Sequence, residues 1–217
     1  MSPISPERQQ RHSFRVFEEV FASSPVISVA EVSLHFPGMR PERLSQWQAK
    51  GYIRKIRNGF YRMASRPMND HERWAIANSI HAPSYISLRS ALGYYNFIPE
   101  GVFHVESVTT GHTKRFAFNG TQYTYRHIKP AFHFGYRFLE HQGLRVRMAS
   151  PEKALLDVLY LHPEMATTSD FEAWRLDATE IVARIDAARM DDFAGIGGSD
   201  AMRSRYHSLK KWLHDHA

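Results

Sequence analysis

Arg43, Gln46 and Lys50 stand three and seven residues apart, so on a helix they form one stripe. In a DNA major groove Arg forks onto guanine and Gln onto adenine, each good pair discriminating by about 1–3 kcal/mol. Arg40 stands at the expected start of the same helix, where recognition helices read with their first turns, and Ser45 offers a hydroxyl within it. Further on, Arg54, Lys55, Arg57 and Arg62 cluster on or beside an expected hairpin, with Asn58 at its turn. A hairpin of this kind lays cations against phosphates or into the minor groove. A basic helix stripe alone is usually a solvated face, and so is a basic hairpin. Their adjacency is what points to double-stranded DNA.

The first 66 residues supply the scaffold. Ser5-Pro6-Glu7 reads as a helix start: Ser caps, Pro takes the first helical position, Glu meets the positive dipole end. Phe14, Phe17, Val20 and Phe21 recur at helical spacing, and Ser23-Ser24-Pro25 ends that helix. Ser28-Val29-Ala30-Glu31 matches a capping box, with Ile27 and Val32 placed for a hydrophobic staple. Pro37-Gly38 turns the chain. A third helix is expected over residues 40–50, with Leu44 and Trp47 inward and Gly51 as its C-cap. Residues 52–56 and 60–63 read as strands joined through Arg57-Asn58-Gly59, where Asn-Gly supplies the positive φ angles of a tight turn. This order outlines a winged helix-turn-helix domain over residues 1–66.

Composition bounds the rest. The chain has 217 residues, 43% hydrophobic and 23% charged, enough to bury a core as one large or two small domains. It has no cysteine, which removes disulfide scaffolds, cysteine zinc sites, iron–sulfur clusters and thiol catalysis, and suits a reducing cytoplasm. No apolar run reaches the roughly 18 residues of a spanning helix, and residues 1–11 carry no apolar signal core. A cytoplasmic protein with no membrane partner is expected. The net charge of +6 is unevenly spread. Residues 1–66 hold 11 Lys/Arg against 5 Asp/Glu, residues 67–149 hold 9 against 5, and residues 150–217 hold 8 against 12. A basic front and an acidic back suit a polyanion at the front.

Arg66-Pro67-Met68-Asn69-Asp70 reads as a linker ending in an N-cap, opening an α/β domain over residues 67–217. Helices are expected to about residue 80 and over 84–95. Residues 102–148 are strand-rich: 102–108 alternate, and 114–118 and 121–127 flank Asn119-Gly120, a second hairpin signal. Ser150-Pro151-Glu152 opens a helical part over 150–217, with later helices near 170–176, 178–190 and 200–215 and a break at Gly195-Ile196-Gly197-Gly198. The expected fold class is α+β: a winged helix-turn-helix, then a mixed domain with a mainly antiparallel sheet and a helical tail. Lys114, Arg115, Arg126, Lys129, Arg137, Arg145 and Arg147 form a second basic set: a solvated sheet face, a continuation of the DNA footprint, or a contact to RNA. Tyr123, Tyr125 and Tyr136 interleave with it as in single-strand binders, but their alternation favours a buried face.

Other chemistry finds little support. Of 13 histidines, seven lie between His71 and His141, yet no His-x-x-x-His pair sits with a carboxylate in a metalloenzyme pattern. No metal and no cofactor is expected. Gly198-Ser199-Asp200 begins like a nucleotidyltransferase motif, but no Asp-x-Asp follows. Gly195-x-Gly197-Gly198 follows a helix rather than a strand, and neither a P-loop nor a dinucleotide fingerprint is present. Ser150-Pro151-Glu152-Lys153 looks like a nucleophile–lysine run, but opening a helix accounts for it. No enzymatic activity is expected.

Several blocks carry a family resemblance. Lys50-Gly51-Tyr52-Ile53-Arg54-Lys55-Ile56-Arg57-Asn58-Gly59-Phe60-Tyr61 resembles the helix end and wing of the AbiEi family, the antitoxins of type IV abortive-infection toxin–antitoxin systems. Ser84-Tyr85-Ile86-Ser87-Leu88-Arg89-Ser90-Ala91-Leu92, Val108-Thr109-Thr110, Tyr125-Arg126-His127-Ile128, Phe134-Gly135-Tyr136 and Ala149-Ser150-Pro151-Glu152-Lys153-Ala154-Leu155-Leu156-Asp157 resemble its second-domain blocks, in the same order. The likeness spans residues 14–162 and is loose beyond. It implies a repressor that binds promoter repeats of its own operon. It also implies a partner toxin of nucleotidyltransferase type, counteracted without a stable complex. The DNA role carries over to Arg40, Arg43, Gln46, Lys50, Arg54, Lys55 and Arg57, but the recognition helix is the least family-like part, so the operator sequence does not carry over. Two rivals remain: an antitoxin acting by direct contact through the acidic tail, and a nuclease or nucleotide-modifying enzyme targeted by the winged helix.

Overall fold

The computed structural model describes residues 12–99, 101, 103–196 and 198–217. The expected helix start at Ser5-Pro6-Glu7 lies outside them, as do Val102 and Gly197. The fold is α+β, with 10 α-helices and two sheets among the described residues.

The first three helices are short and capped where the sequence offers caps. Ser13 opens α1 (Phe14–Phe21) by accepting from the Val16 N–H at 3.4 Å. Ser28 opens α2 (Val29–His35) with a complete capping box: its hydroxyl accepts from the Glu31 N–H at 3.1 Å, and the Glu31 carboxylate accepts from the Ser28 N–H at 2.8 Å. The third helix, α3 (Glu42–Ala49), is shorter than the expected 40–50. Pro41 occupies its cap position without a side-chain bond, so Arg40 belongs to the preceding turn. Gly51 follows it at φ +74°, a left-handed conformation that costs glycine nothing.

Strands β1 (Ile27–Ser28), β2 (Ile53–Arg57) and β3 (Phe60–Met63) form an antiparallel sheet in the order β1-β3-β2. The turn between β2 and β3 departs from expectation. Gly59 takes φ +82°, but Asn58 stays out of the positive region, and the register shifts between Lys55 and Arg57. The bulge absorbs the residue that a symmetric Asn-Gly turn would have left paired. Phe17, Phe21, Val32, Phe36, Leu44 and Trp47 from the helices close one core with Ile27, Ile53 and Met63.

The second core surrounds a six-stranded sheet. Its strands are β4 (Ser84–Ile86), β5 (His104–Thr109), β6 (Lys114–Phe118), β7 (Thr121–His127), β8 (Tyr136–His141) and β9 (Leu144–Ala149), in the order β6-β7-β5-β4-β9-β8. Three neighbouring pairs are antiparallel, while β5–β7 and β4–β9 are parallel. The hairpin at Asn119-Gly120 forms as expected, with φ +50° and +76°. Residues 84–95 do not form one helix: Ser84–Ile86 is the fully buried strand β4, and the helix begins after it. Three apolar-flanked residues carry no period that separates strand from helix; pairing to both β5 and β9 decides the matter.

Helices α4 (Asp70–Ile80), α5 (Leu88–Tyr94) and α6 (Pro151–Leu161) pack on this sheet. Tyr125 anchors α4 by donating its hydroxyl to the Ala77 carbonyl at 2.8 Å, and Tyr95 donates to the Ala149 carbonyl at 2.6 Å. The tail holds α7 (Thr168–Ala173), α8 (Ala178–Arg184), α9 (Ala187–Gly195) and α10 (Asp200–His216). The expected helix 178–190 is two helices, because Asp186 caps a new start by accepting from the Arg189 N–H at 3.0 Å. Among the described residues no helix is long and apolar enough to cross a membrane.

The small sheet has two occupied faces. Ile53 and Met63 meet the three helices, whereas Ile56 joins the core of the second sheet and Phe60 packs against it. The expected linker is pinned across this seam. Arg66 donates to the Ala22 carbonyl at 2.6 Å, at the end of α1, and to the Glu72 carboxylate, in the first turn of α4.

Candidate nucleic-acid interface

Helix α3 presents the stripe that its sequence suggests. Leu44 and Trp47 are buried, each 4% exposed, and Trp47 lies 4.7 Å from the Phe17 ring centre. Their burial fixes the rotation of α3, leaving Ser45, Gln46 and Lys50 exposed and Arg43 half-buried. Arg40 is exposed in the turn ahead of them, and Lys50 ends the helix, its N–H donating to the Gln46 carbonyl at 3.0 Å. This surface combines two side chains able to read base edges with cations at both ends.

The hairpin divides its cations between solvent and the second sheet. Lys55 and Asn58 are exposed. Arg54, also exposed, donates to Asn119 Oδ1 at 3.4 Å in the β6–β7 turn. Arg57 is half-buried, its guanidinium 5.6 Å from the Phe116 ring centre on β6. Both therefore lean toward the β6–β7 hairpin. His81 sits among the same charges: burial lowers its pKa first, then Lys114, with Arg57 adding to the effect. Arg54, Arg57 and Lys114 thus run from one hairpin to the next, whereas exposed Arg115, opposite Thr124, lies on the other face of β6.

Arg62 is a correction. The sequence places it with the DNA contacts, but it is 3% exposed and lies under the hairpin. It donates to the Pro67 carbonyl at 2.9 Å, the Arg66 carbonyl at 3.3 Å and Glu72 Oε2 at 3.3 Å. Burial lowers its pKa, and Glu72 acts against that. Alternation along β3 puts Arg62 on the face with Phe60, which the second sheet covers.

The second basic set scatters. Lys129 is exposed in the loop after β7, and half-buried Arg126 donates to the Leu161 carbonyl at 3.2 Å. Arg145 lies 3.7 Å from the Phe138 ring centre and 3.6 Å from Glu140. Arg147 donates to the Asn78 carbonyl at 3.2 Å. Arg126, Arg145 and Arg147 therefore do not extend the basic run from the hairpin, being held by other partners. Tyr123 and Tyr125 are fully buried, as their alternation indicates, but Tyr136, expected to be buried with them, is 36% exposed; burial raises the Tyr123 hydroxyl to about 12.

One constellation escaped the sequence reading. Asp157 on α6 is fully buried; it accepts from Tyr85 at 2.9 Å and Ser87 at 2.7 Å, and pairs with Lys153 one turn earlier. Burial lowers the Lys153 pKa, and Asp157 raises it in opposition. The Lys153 ammonium also lies 3.5 Å from the Phe132 ring centre. Leu88, next to Ser87, takes φ +53°, a left-handed value that costs a branched residue about 1–2 kcal/mol. Ser150 caps α6, accepting from the Lys153 N–H at 3.3 Å. The available signal was a Lys and an Asp four residues apart in a helix that, Glu152 and Tyr160 aside, is otherwise apolar.

No family model matches the chain, and a search of curated proteins also finds no match.

Proposed function

We propose that the protein is a sequence-specific DNA-binding repressor whose first 66 residues form a winged helix-turn-helix. The observation that carries this reading is α3: Leu44 and Trp47 hold it against α1 and α2, and Arg43, Gln46 and Lys50 line its outer side. Beside it, Lys55 and Asn58 on the β2–β3 hairpin face solvent, as phosphate contacts require. Arg54, Arg57 and Lys114 add charge alongside and draw a polyanion across both hairpins. The reading retains the AbiEi-type role, autoregulation through promoter repeats and opposition to a nucleotidyltransferase-type toxin. It assigns the chain no reaction of its own.

Fluorescence anisotropy on the chain's own promoter, against a scrambled duplex at several salt concentrations, tests the proposal. The expected preference for promoter is about 10³-fold or more. Arg43→Ala and Gln46→Ala each narrow that preference, by about 1–3 kcal/mol per lost base contact. Lys55→Ala weakens both duplexes alike and flattens the salt slope by about one unit. Equal binding of both duplexes, unmoved by these substitutions, would sink the assignment.

A further inference from the structure

A cleft of about 550 Å³ opens where the two sheets meet. One wall is the start of α2, with Glu31, together with Phe60 of the small sheet; the other holds Asn78, Phe138, Arg145 and Arg147. Two features of the second wall ask for an anion. Half-buried Arg147 reaches one backbone carbonyl, and among the described residues no carboxylate lies within ion-pair distance. Asn78 is 6% exposed; its Oδ1 accepts from the Arg147 N–H at 2.6 Å, while its Nδ2 has no acceptor among the described residues. A buried donor left unpaired destabilises the fold, and a bound acceptor removes that penalty.

The remaining lining describes the rest of the ligand. Phe138 is 49% exposed on an edge strand, with Arg145 stacked at its ring and 3.6 Å from exposed Glu140, a surface pair that a phosphate must outcompete, and Phe60 lies on the wall that includes α2. Two aromatic side chains in one cleft suit a flat ring. Glu31 commits Oε2 to Ser28, and its Oε1 has no protein donor among the described residues. It repels a second anion and accepts from an amino group. The volume suits one small molecule rather than a strand.

We infer that this cleft binds a nucleoside monophosphate, phosphate on Arg145, Arg147 and Asn78, base between Phe60 and Phe138, exocyclic amine toward Glu31. Its walls come from the cap of α2 and from the second sheet, so occupancy acts on the helix pair that carries α3. This effector role rests on the DNA-binding reading.

Calorimetric titration of the full chain with AMP, without DNA, tests the site. Saturable binding is expected, stronger than for adenosine or inorganic phosphate, and weakened at least about tenfold by Phe138→Ala and by Arg145→Gln. Both side chains are exposed, so neither substitution removes core packing. No saturable heat at millimolar AMP, or binding that survives both substitutions, overturns the site. Promoter anisotropy with saturating AMP tests the effector role: a shift of about 5–150-fold is expected, and unchanged promoter affinity overturns it. No preference for the promoter with or without AMP, while AMP itself still binds, would count against the DNA reading instead.

Discussion

Arg62→Gln lowers stability and leaves the salt dependence of DNA binding untouched, because its guanidinium is buried on Glu72 and two backbone carbonyls. The expected loss is about 1–3 kcal/mol in urea unfolding, since carbonyls lose their donor while Glu72 keeps Arg66. A flattened salt slope for this variant would return Arg62 to the DNA surface. Asp157→Ala is expected to cost more, about 3–5 kcal/mol, because it strands the buried Lys153 charge and two hydroxyls. Replacing Lys153 and Asp157 together by Met and Leu should recover only the part owed to the stranded charge, because Tyr85 and Ser87 still lose their acceptor. A single variant as stable as the parent protein would refute the buried pair.

At the scale of elements, caps and turns set boundaries and pairing sets identity. Ser28→Ala removes the capping box of α2 and should lower the unfolding free energy by about 0.5–2 kcal/mol, read as a lower urea midpoint. An unshifted midpoint would mean that packing of Val32 and Phe36 alone holds this helix. The two Asn-Gly pairs show how far a local signal carries. Asn119-Gly120 takes positive φ at both residues, because β6 and β7 pair in unbroken register. At Asn58-Gly59 the same dipeptide yields a turn with one positive φ, because β2 carries a bulge. Ile56, on the bulged stretch, reaches the core of the second sheet, and that burial outweighs the turn's own preference.

The whole molecule carries a pH dependence. His71, His81 and His133 all have pKa values held below their ordinary value, by burial first and, for His71, by the stacked His141 next. Near pH 6 the unfolded chain therefore binds more protons than the folded one, so stability falls as pH drops below about 6.5. The loss continues until pH passes the lowered folded values. The carboxylates held low, Asp191 through Lys210 and Asp186 through the Arg189 N–H, lose their contribution in a separate, more acidic range. Urea midpoints measured between about pH 7 and pH 5 should decline, and His71→Gln should shallow the decline. A flat profile over that range would contradict it.

Caps, the inward stripe of α3, both hairpins and the alternation of Tyr123 with Tyr125 were legible in the sequence, because each rests on residues within a turn or a strand of one another. Leu44 and Trp47 announce which side of α3 is buried, and hence where Arg43 and Gln46 point. What lies across the chain was not legible. Arg62 and Lys55 are both basic residues of one hairpin, yet a second sheet covers one and leaves the other in water. Lys153 and Asp157 mark a helix face, but only β4 brings Tyr85 and Ser87 to them. Local patterning determines which face of an element is apolar. Which polar groups lose their water depends on a partner surface distant in sequence, and only the tertiary structure decides that.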